Sequence, residues 1–294
     1  MDGLLVIDKP SGMTSRDVVN RVQTWFPRRT KIGHTGTLDP LATGVLVICV
    51  GAATRLADVI QSFGKTYQAV FQLGVTSPSD DADGPIQPYP DARIPTRAAI
   101  EQTLSHWIGW IEQVPPVVSA LKIAGRRAHE LVRQGEDVRL QARPVRIDAI
   151  RLGNYDWPFL ELEVDCGKGT YIRSLARDLG AALHCGGIVH KLRRTRVGPF
   201  TTQDALSIDT PPEAIRLRPV ADALKALPTI TLVDCEATQF AHGQPLQLRS
   251  GLAVHNDALA TTVGVFDAHG QPLGVGILSN NRLRPSIVLP RATS

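Results

Sequence analysis

The chain has 294 residues, 43% of them hydrophobic, and a mean hydropathy of −0.03, enough for a sizeable core and a second, smaller unit in an ordinary globular protein. No apolar run approaches the roughly 20 residues of a membrane span, and the N-terminus enters a strand-like LLVI with no basic region or cleavage site before it, so a cytoplasmic protein without a membrane partner is expected. Net charge is only +4, but 25 of the 32 basic residues are Arg, whose planar fork suits phosphate and base recognition better than an ammonium does.

The predicted elements alternate between strand and helix. Leu4 to Ile7 is a short buried strand, DKPSGMT a turn, and Ser15 the N-cap of a helix with Asp17 in its first turn and Val18, Val19, Val22, Trp25 and Phe26 at helical spacing. The stretch KIGHTGTLDPLATG at 31 to 44 is turn chemistry between two apolar runs, with Asp39 locked against a proline. A second helix presents Leu56, Val59, Ile60 and Phe63 and ends at Gly64; Tyr67 to Leu73 alternates as a strand, and SPSDDADGP is a turn. Thr96 caps a helix carrying Ile100, Leu104, Trp107 and Ile108. Phe159 to Cys166 places Leu160, Leu162, Val164 and Cys166 inward and Glu161, Glu163 and Asp165 outward, as in an antiparallel sheet with one face packed by helices.

GKGTYIRSLARDLG at 167 to 180 reads as a glycine turn followed by a helix, with Thr170 as N-cap, Ile172, Leu175, Ala176 and Leu179 on one face and Gly180 as the stop. Its glycines match neither phosphate-loop spacing. Arg173 in the first turn opposes the helix dipole and needs a facing anion; Asp39 is the natural candidate. From Ile230 onward short strands are separated by HGQP, DAHGQP and SNNR, so a small β-rich unit begins near residue 228. The four cysteines, Cys49, Cys166, Cys185 and Cys235, form no CxxC and no Cys/His pair, so free thiols and no metal site are expected.

The charge is uneven. Residues 1–228 hold 28 basic and 24 acidic side chains and 229–294 hold four of each. Lys122, Arg126, Arg127, Arg133, Arg139, Arg143 and Arg146 form one cluster, and Lys191, Arg193, Arg194 and Arg196 another. With a pI near 9.0, two such clusters point to a polyanion, and to nucleic acid before membrane because no basic amphipathic helix accompanies them.

Five blocks, DKPSGMTS at 8 to 15, GHTGTLDPLATGVL at 33 to 46, GKTY at 64 to 67, CGKGTYIR at 166 to 173 and KLRR at 191 to 194, together resemble the signature of the bacterial tRNA pseudouridine-55 synthases, the TruB-type family. The resemblance implies an α+β catalytic domain over 1–228, a mixed, mainly antiparallel sheet with flanking helices, with a basic insertion at about 119–143 that folds over the RNA. It implies a PUA-like, β-barrel-like RNA-binding unit over 229–294. The implied reaction turns a T-loop uridine from an N-glycoside into a C-glycoside with base flipping and without metal or organic cofactor. The implied partner is the T-arm of tRNA, with no obligate protein partner and a monomer as the default.

Carried onto this chain, the resemblance makes Asp39 the essential carboxylate, Arg173 its partner, Tyr67 the surface that stacks on the uracil, and Tyr171 the candidate for removing the C5 proton. His34 would wedge into the T-loop, Leu192 would line the pocket, and Lys122, Arg126, Arg127, Arg133 and Arg194 would contact RNA. An extruded base needs an aromatic platform in a closed pocket, and an Arg beside a carboxylate favours the ionised form. Two positions depart from the pattern: SPSDDADG replaces the usual TDTxDxxG, with Pro78 at its first aspartate, and Gly167 stands where serine is common. A guide-RNA-dependent relative, or a tRNA-folding protein with incidental catalysis, would share the same blocks.

Overall fold

The computed structural model describes residues 2–118, 140–248 and 260–290, together with the backbone of 122–123 and 126–127. Of the basic insertion, Arg133 lies outside the described residues, as do the side chains of Lys122, Arg126 and Arg127.

The chain order is β1 (Gly3–Lys9), α1 (Ser15–Gln23), β2 (Ile32–His34), β3 (Thr43–Val50), α2 (Ala57–Ser62), β4 (Lys65–Leu73), β5 (Val75–Thr76), β6 (Gln87–Pro88) and α3 (Arg97–Ser105). It continues through β7 (Gly109–Gln113), β8 (Lys122–Ile123), β9 (Arg126–Arg127), β10 (Arg143–Asp156), β11 (Phe159–Cys166), α4 (Ile172–Ala182), β12 (Gly187–Val197), β13 (Phe200–Thr201) and β14 (Leu206–Ser207). The last part holds α5 (Ala221–Leu224), β15 (Thr229–Leu232), α6 (Asp234–Ala241), β16 (Leu246–Gln247), β17 (Thr261–Asp267), β18 (Pro272–Ser279) and β19 (Arg282–Val288). None of the described helices is long and apolar enough to cross a membrane.

The larger sheet runs β14–β1–β3–β12–β4–β11–β10–β7, with β2 on β3 and β13 on β12. In it β1/β14 and β3/β12 are parallel and the other pairs antiparallel, the mixed α+β architecture expected. A second sheet runs β15–β17–β18–β19–β16.

The apolar pattern assigns the two faces of the larger sheet. Leu5, Ile7, Leu46, Ile48 and Val50 turn to one side, where Tyr67, Ala69, Phe71, Leu160, Leu162 and Val164 join residues of α1, α3 and α4 in a common core. Leu4, Val6, Val45, Val47 and Cys49 turn to the other, against Leu56, Ile60, Phe63, Phe200 and Phe266, Val275 and Leu289 of the second sheet's strands and their C-terminal flank. β1 and β3 are thus buried on both faces and read as continuous apolar runs, whereas β11 is buried on one face and alternates. Ile230, Leu232, Phe240, Val263, Val265 and Leu283 form a core within the second sheet.

Four local expectations are corrected. Thr14, not Ser15, caps α1, in a capping box with Asp17, which frees the Ser15 hydroxyl for another partner. The residue before α4 is Tyr171, not Thr170. Gly180 does not stop α4 but lies inside it, because the Gly186–Gly187 backbone crosses there so closely that a Cβ on Gly180 would stand 2.1 Å from the Gly186 carbonyl carbon. Ile108, expected on the face of α3, lies beyond its end and is exposed. The four cysteines are free thiols, as expected.

The Gly180 crossing sets the seat of α4 on β12. Ala is the better helix former by about 1 kcal/mol, yet Gly180→Ala is expected to destabilise the protein by roughly 1–3 kcal/mol through backbone overlap. Urea unfolding of the two proteins checks this; an unchanged or higher midpoint would mean that propensity, not the crossing, governs the position.

Candidate active site

The loop between β2 and β3 is tied down from three directions before it presents Asp39. The buried Ser15 hydroxyl donates to the Leu38 carbonyl (3.1 Å) and accepts from the Leu38 N–H (2.8 Å). Lys9, fully buried, donates from Nζ to the carbonyls of Pro10 (2.8 Å), Met13 (2.6 Å) and Pro40 (3.2 Å), joining the DKPSGM turn to the residue after Asp39. Burial pushes the Lys9 ammonium down to about 8, opposed by the Asp39 charge. Arg194 donates to the carbonyls of Val45 (2.8 Å) and Gly36 (3.1 Å) from β12.

Register brings the remaining parts together. β12 lies between β3 and β4, so Arg194 pairs with Gly44 on one side and Tyr67 on the other, one row across the three strands. Gly44 has φ +100°, and a Cβ there would sit 2.2 Å from the Arg194 carbonyl oxygen, so the close β3–β12 approach requires glycine. Tyr67 is buried; burial raises its phenol, and the Arg194 guanidinium beside it opposes this.

Arg173, with only 5% of its side chain exposed, faces two carboxylates from the first turn of α4. Its Nε lies 2.9 Å from Asp39 Oδ2, an ion pair in distance but not an aligned hydrogen bond, and its Nη1 lies 3.3 Å from Asp81 Oδ2. Nη1 also donates to the Ser79 carbonyl (2.8 Å) and Nη2 to that of Val118 (3.0 Å). One turn on, Arg177 pairs with Asp80 (3.0 Å), so two arginines hold the SPSDDADG loop over the start of the helix. Asp80 and Asp81 therefore supply the acidic contacts in the loop where Pro78 replaces the first aspartate.

About a third of the Asp39 side chain is open, where it lines the cavity, and protein packs densely around the rest. Burial therefore raises its carboxyl above the ordinary value; Arg173 pulls it back, Asp81 adds to the rise, and Lys9 opposes it. The cavity measures about 410 Å³ and is lined by Asp39, Tyr67, Tyr171, Arg173, Leu192 and Arg194, with Lys65 at the start of β4 and with Arg143 and the Gly167–Thr170 turn from the strands beyond β4 in the sheet. The Tyr171 backbone is held by Gln113, whose amide accepts from its N–H (2.8 Å) and donates to its carbonyl (3.1 Å). Burial raises the Tyr171 phenol and Arg143 opposes it.

The structure thus gathers Asp39, Tyr67, Tyr171, Arg173, Leu192 and Arg194 around one cavity. Arg194, expected at the RNA, is 2% exposed and directs its donors to the carboxylate-bearing loop. His34 ends β2 outside the cavity lining, its Nδ1 accepting weakly from the Gly36 N–H at 3.4 Å. Lys122 and Arg127 are opposite each other across the β8–β9 pair. Sequence reasoning missed Lys9, Ser15, Asp81 and Gln113, each a buried polar residue that holds a neighbouring loop or backbone; the available signal was a polar residue in an otherwise apolar or turn setting. Among the described residues no cluster of His, Cys, Asp or Glu could hold a metal ion.

Removing Arg173 takes away the main influence that lowers the Asp39 pKa. In Arg173→Met the Asp39 carboxyl is expected to titrate at higher pH than in the unmodified protein, which itself titrates above an ordinary Asp. Carboxyl-carbon NMR across the acid range reads both midpoints; a variant midpoint equal to or below the original would contradict the pairing.

Known proteins share both the sequence and the fold. Residues 24–172 match the family model described as TruB family pseudouridylate synthase (N terminal domain), 173–219 that of the tRNA pseudouridylate synthase B C-terminal domain, and 228–289 that of Pseudouridine synthase II TruB, C-terminal. The chain is 41% identical to a tRNA pseudouridine synthase B of Cereibacter sphaeroides over 98% of its own length and 96% of the relative's. It is 40% identical to one from Burkholderia mallei over 97% and 96%. Among solved structures, a Cbf5-Nop10-Gar1 complex matches with TM-score 0.72 at 24% identity, over 94% of this chain and 78% of that one, which is a likeness of fold.

Proposed function

Because the chain belongs to the TruB family of pseudouridylate synthases, we propose that it isomerises the uridine at position 55 of the tRNA T-loop, extruding the base and using Asp39 as its essential carboxylate. It is an isomerase that forms pseudouridine in tRNA. The observation that carries the finer reading is the buried Arg173 against Asp39 in the cavity that Tyr67 and Leu192 line.

In this reading the N1–C1′ bond breaks with its electron pair leaving on the uracil, the base turns, and C5 bonds to C1′ before C5 gives up its proton. Asp39 acts as an anion whether it attacks C1′ or takes a C2′ proton, and Arg173 keeps it ionised and aimed. Tyr67 stacks on the uracil and Leu192 closes the pocket, so the detached base is retained. Tyr171 is the candidate acceptor of the C5 proton; since its phenol is raised and stays protonated, it would accept that proton at its oxygen while its own passes to water at the open side of the cavity. His34, at the end of β2, wedges into the T-loop where the base leaves its stack. Lys122, Arg126, Arg127 and Arg133 contact the RNA backbone. The chain works without a cofactor, a guide RNA or a protein partner, as a cytoplasmic monomer, with 1–228 as catalytic domain and 229–294 as a small RNA-binding unit.

Asp39→Asn keeps shape and removes charge. Single-turnover isomerisation of unmodified tRNA is expected to fall about 10³-fold or more, with tRNA affinity near that of the unmodified protein; residual turnover within tenfold would defeat the assignment. Tyr67→Phe should retain the stacking surface, whereas Tyr67→Leu should lose roughly 1–3 kcal/mol of it, and equal activity of the two variants would remove the stacking role.

Joint replacement of Arg126 and Arg127 by Ala should weaken tRNA binding and flatten its salt dependence by a slope of roughly one for each phosphate no longer neutralised. The single-turnover rate at saturating tRNA should change far less. Titration at several salt concentrations decides; an unchanged slope and affinity would show a merely solvated surface.

A further inference from the structure

The cavity carries more positive charge than a neutral base requires. Besides Asp39, its wall holds Lys65 at the start of β4, Lys168 in the turn after β11, and Arg143 of β10. Neither Lys65 nor Lys168 forms an ion pair with any described residue. Lys65 is 6% exposed and donates two of its three protons, at 2.6 Å each, to the carbonyls of Gln61 and Phe63 at the end of α2. Its third proton has no acceptor among the described residues. Burial first, then Arg194 and Lys168, push this ammonium down to about 8, with Cys166 opposing, so like charges converge here with no carboxylate among the described residues paired to either lysine. Such an arrangement is costly unless a ligand supplies the anion.

The adjoining turn is built the same way. The Gly167 N–H and the Thr170 hydroxyl both reach the Arg146 carbonyl of β10, at 2.8 and 3.4 Å, fixing the turn at both ends. The backbone N–H groups of Lys168, Gly169 and Thr170 between them donate to no described residue. Gly169 has φ +90° and open space where a Cβ would stand, and successive free amides beside such a residue are the backbone arrangement that suits an anion.

We propose that Lys65, Lys168 and the Lys168–Thr170 amides bind a phosphodiester of the extruded target nucleotide itself, beside the base pocket. This rests on the base pocket assigned above. Lys65 precedes Tyr67 by two residues on the same strand face, roughly 7 Å along β4, so a nucleotide whose base lies on Tyr67 brings its backbone to Lys65. Asp39 lines the same cavity from the loop before β3, with β12 between that strand and β4, and repels that phosphate. The two charges together fix which way the sugar faces: the anionic linkage goes to the lysines and the ribose edge to the carboxylate. The site thereby holds C1′ toward Asp39 before any bond breaks, a positioning contribution to rate as well as to affinity.

The test pairs a protein change with a substrate change. T-arm stem-loops carry a neutral methylphosphonate, or a matched 2′-deoxy phosphodiester as control, at one loop linkage at a time. Affinity is measured for the unmodified protein, for Lys168→Ala, whose side chain is exposed and whose loss spares the fold, and for Lys65→Met. For the unmodified protein, neutralising one of the two linkages of the target nucleotide is expected to weaken binding about tenfold, the scale of one charge-assisted bond. Lys168→Ala is expected to weaken the control RNA by a similar factor and to show almost no further loss on the neutral linkage. Multiplying losses, or a Lys168→Ala protein as sensitive to that linkage as the original, would overturn the proposal even if Lys65→Met fails to fold. Asp39→Asn is run alongside. If it is inactive yet keeps the linkage sensitivity, base pocket and phosphate site both stand. If it is inactive and the losses multiply, only the phosphate site falls; if it turns over normally, the base pocket fails and this inference with it.

Discussion

The site depends on one buried guanidinium. Arg173 is placed by the first turn of α4, where its charge opposes the helix dipole, and it is removed from water, which carries a desolvation penalty of several kcal/mol. Asp39 and Asp81 offset both, from two loops well separated in sequence. The carbonyls of Ser79 and Val118 accept from Nη1 and Nη2 of Arg173 but supply no charge, so the ion-pair cluster ties the Asp39 loop to the SPSDDADG loop. Much of the surrounding structure serves that meeting: Arg177 and Asp80 hold the second loop down, and Ser15, Lys9 and Arg194 hold the first.

The same cluster explains why Asp39 is both costly and useful. Its carboxyl is raised by burial despite Arg173. Between the ordinary and the raised pKa the native state keeps a proton that the unfolded chain has lost, so this group makes stability fall as pH rises through that window. At neutral pH the protein therefore gives up stability to keep an under-solvated anion at the cavity wall. A poorly hydrated carboxylate is a stronger nucleophile and base than one in water, and the rigid shell lets it stay in place. Lys9 titrates in the opposite sense: a lowered ammonium destabilises the native charged form, and that penalty fades as pH passes above about 8.

Much of this was legible in the sequence because local chemistry announces it. Period-two alternation marked β11, and turn residues marked the Asp39 loop, whose use was carried by the signature block around it. The need for an anion opposite Arg173 followed from helix electrostatics alone. What was illegible depends on contacts between distant segments. Gly180 reads as a helix stop until the Gly186–Gly187 backbone is found crossing it, and Ser15 reads as a cap until Thr14 takes that role and leaves its hydroxyl for Leu38. Arg194 looked like one more basic residue in KLRR; only the β3–β12–β4 register turns it inward. Asp81 was hidden because two adjacent aspartates in a turn carry no sign of which faces a cation.

If this chain alone selects one uridine and rearranges it, neither a guide RNA nor a second protein is needed. The direct measurement is to incubate the purified protein with unmodified tRNA transcript, with no guide RNA and no second protein, and to map pseudouridine at single-nucleotide resolution. Near-stoichiometric conversion at position 55 in the T-loop, and none elsewhere, is the expected outcome. Conversion that requires an added guide or partner, or that is spread over several uridines, would contradict it.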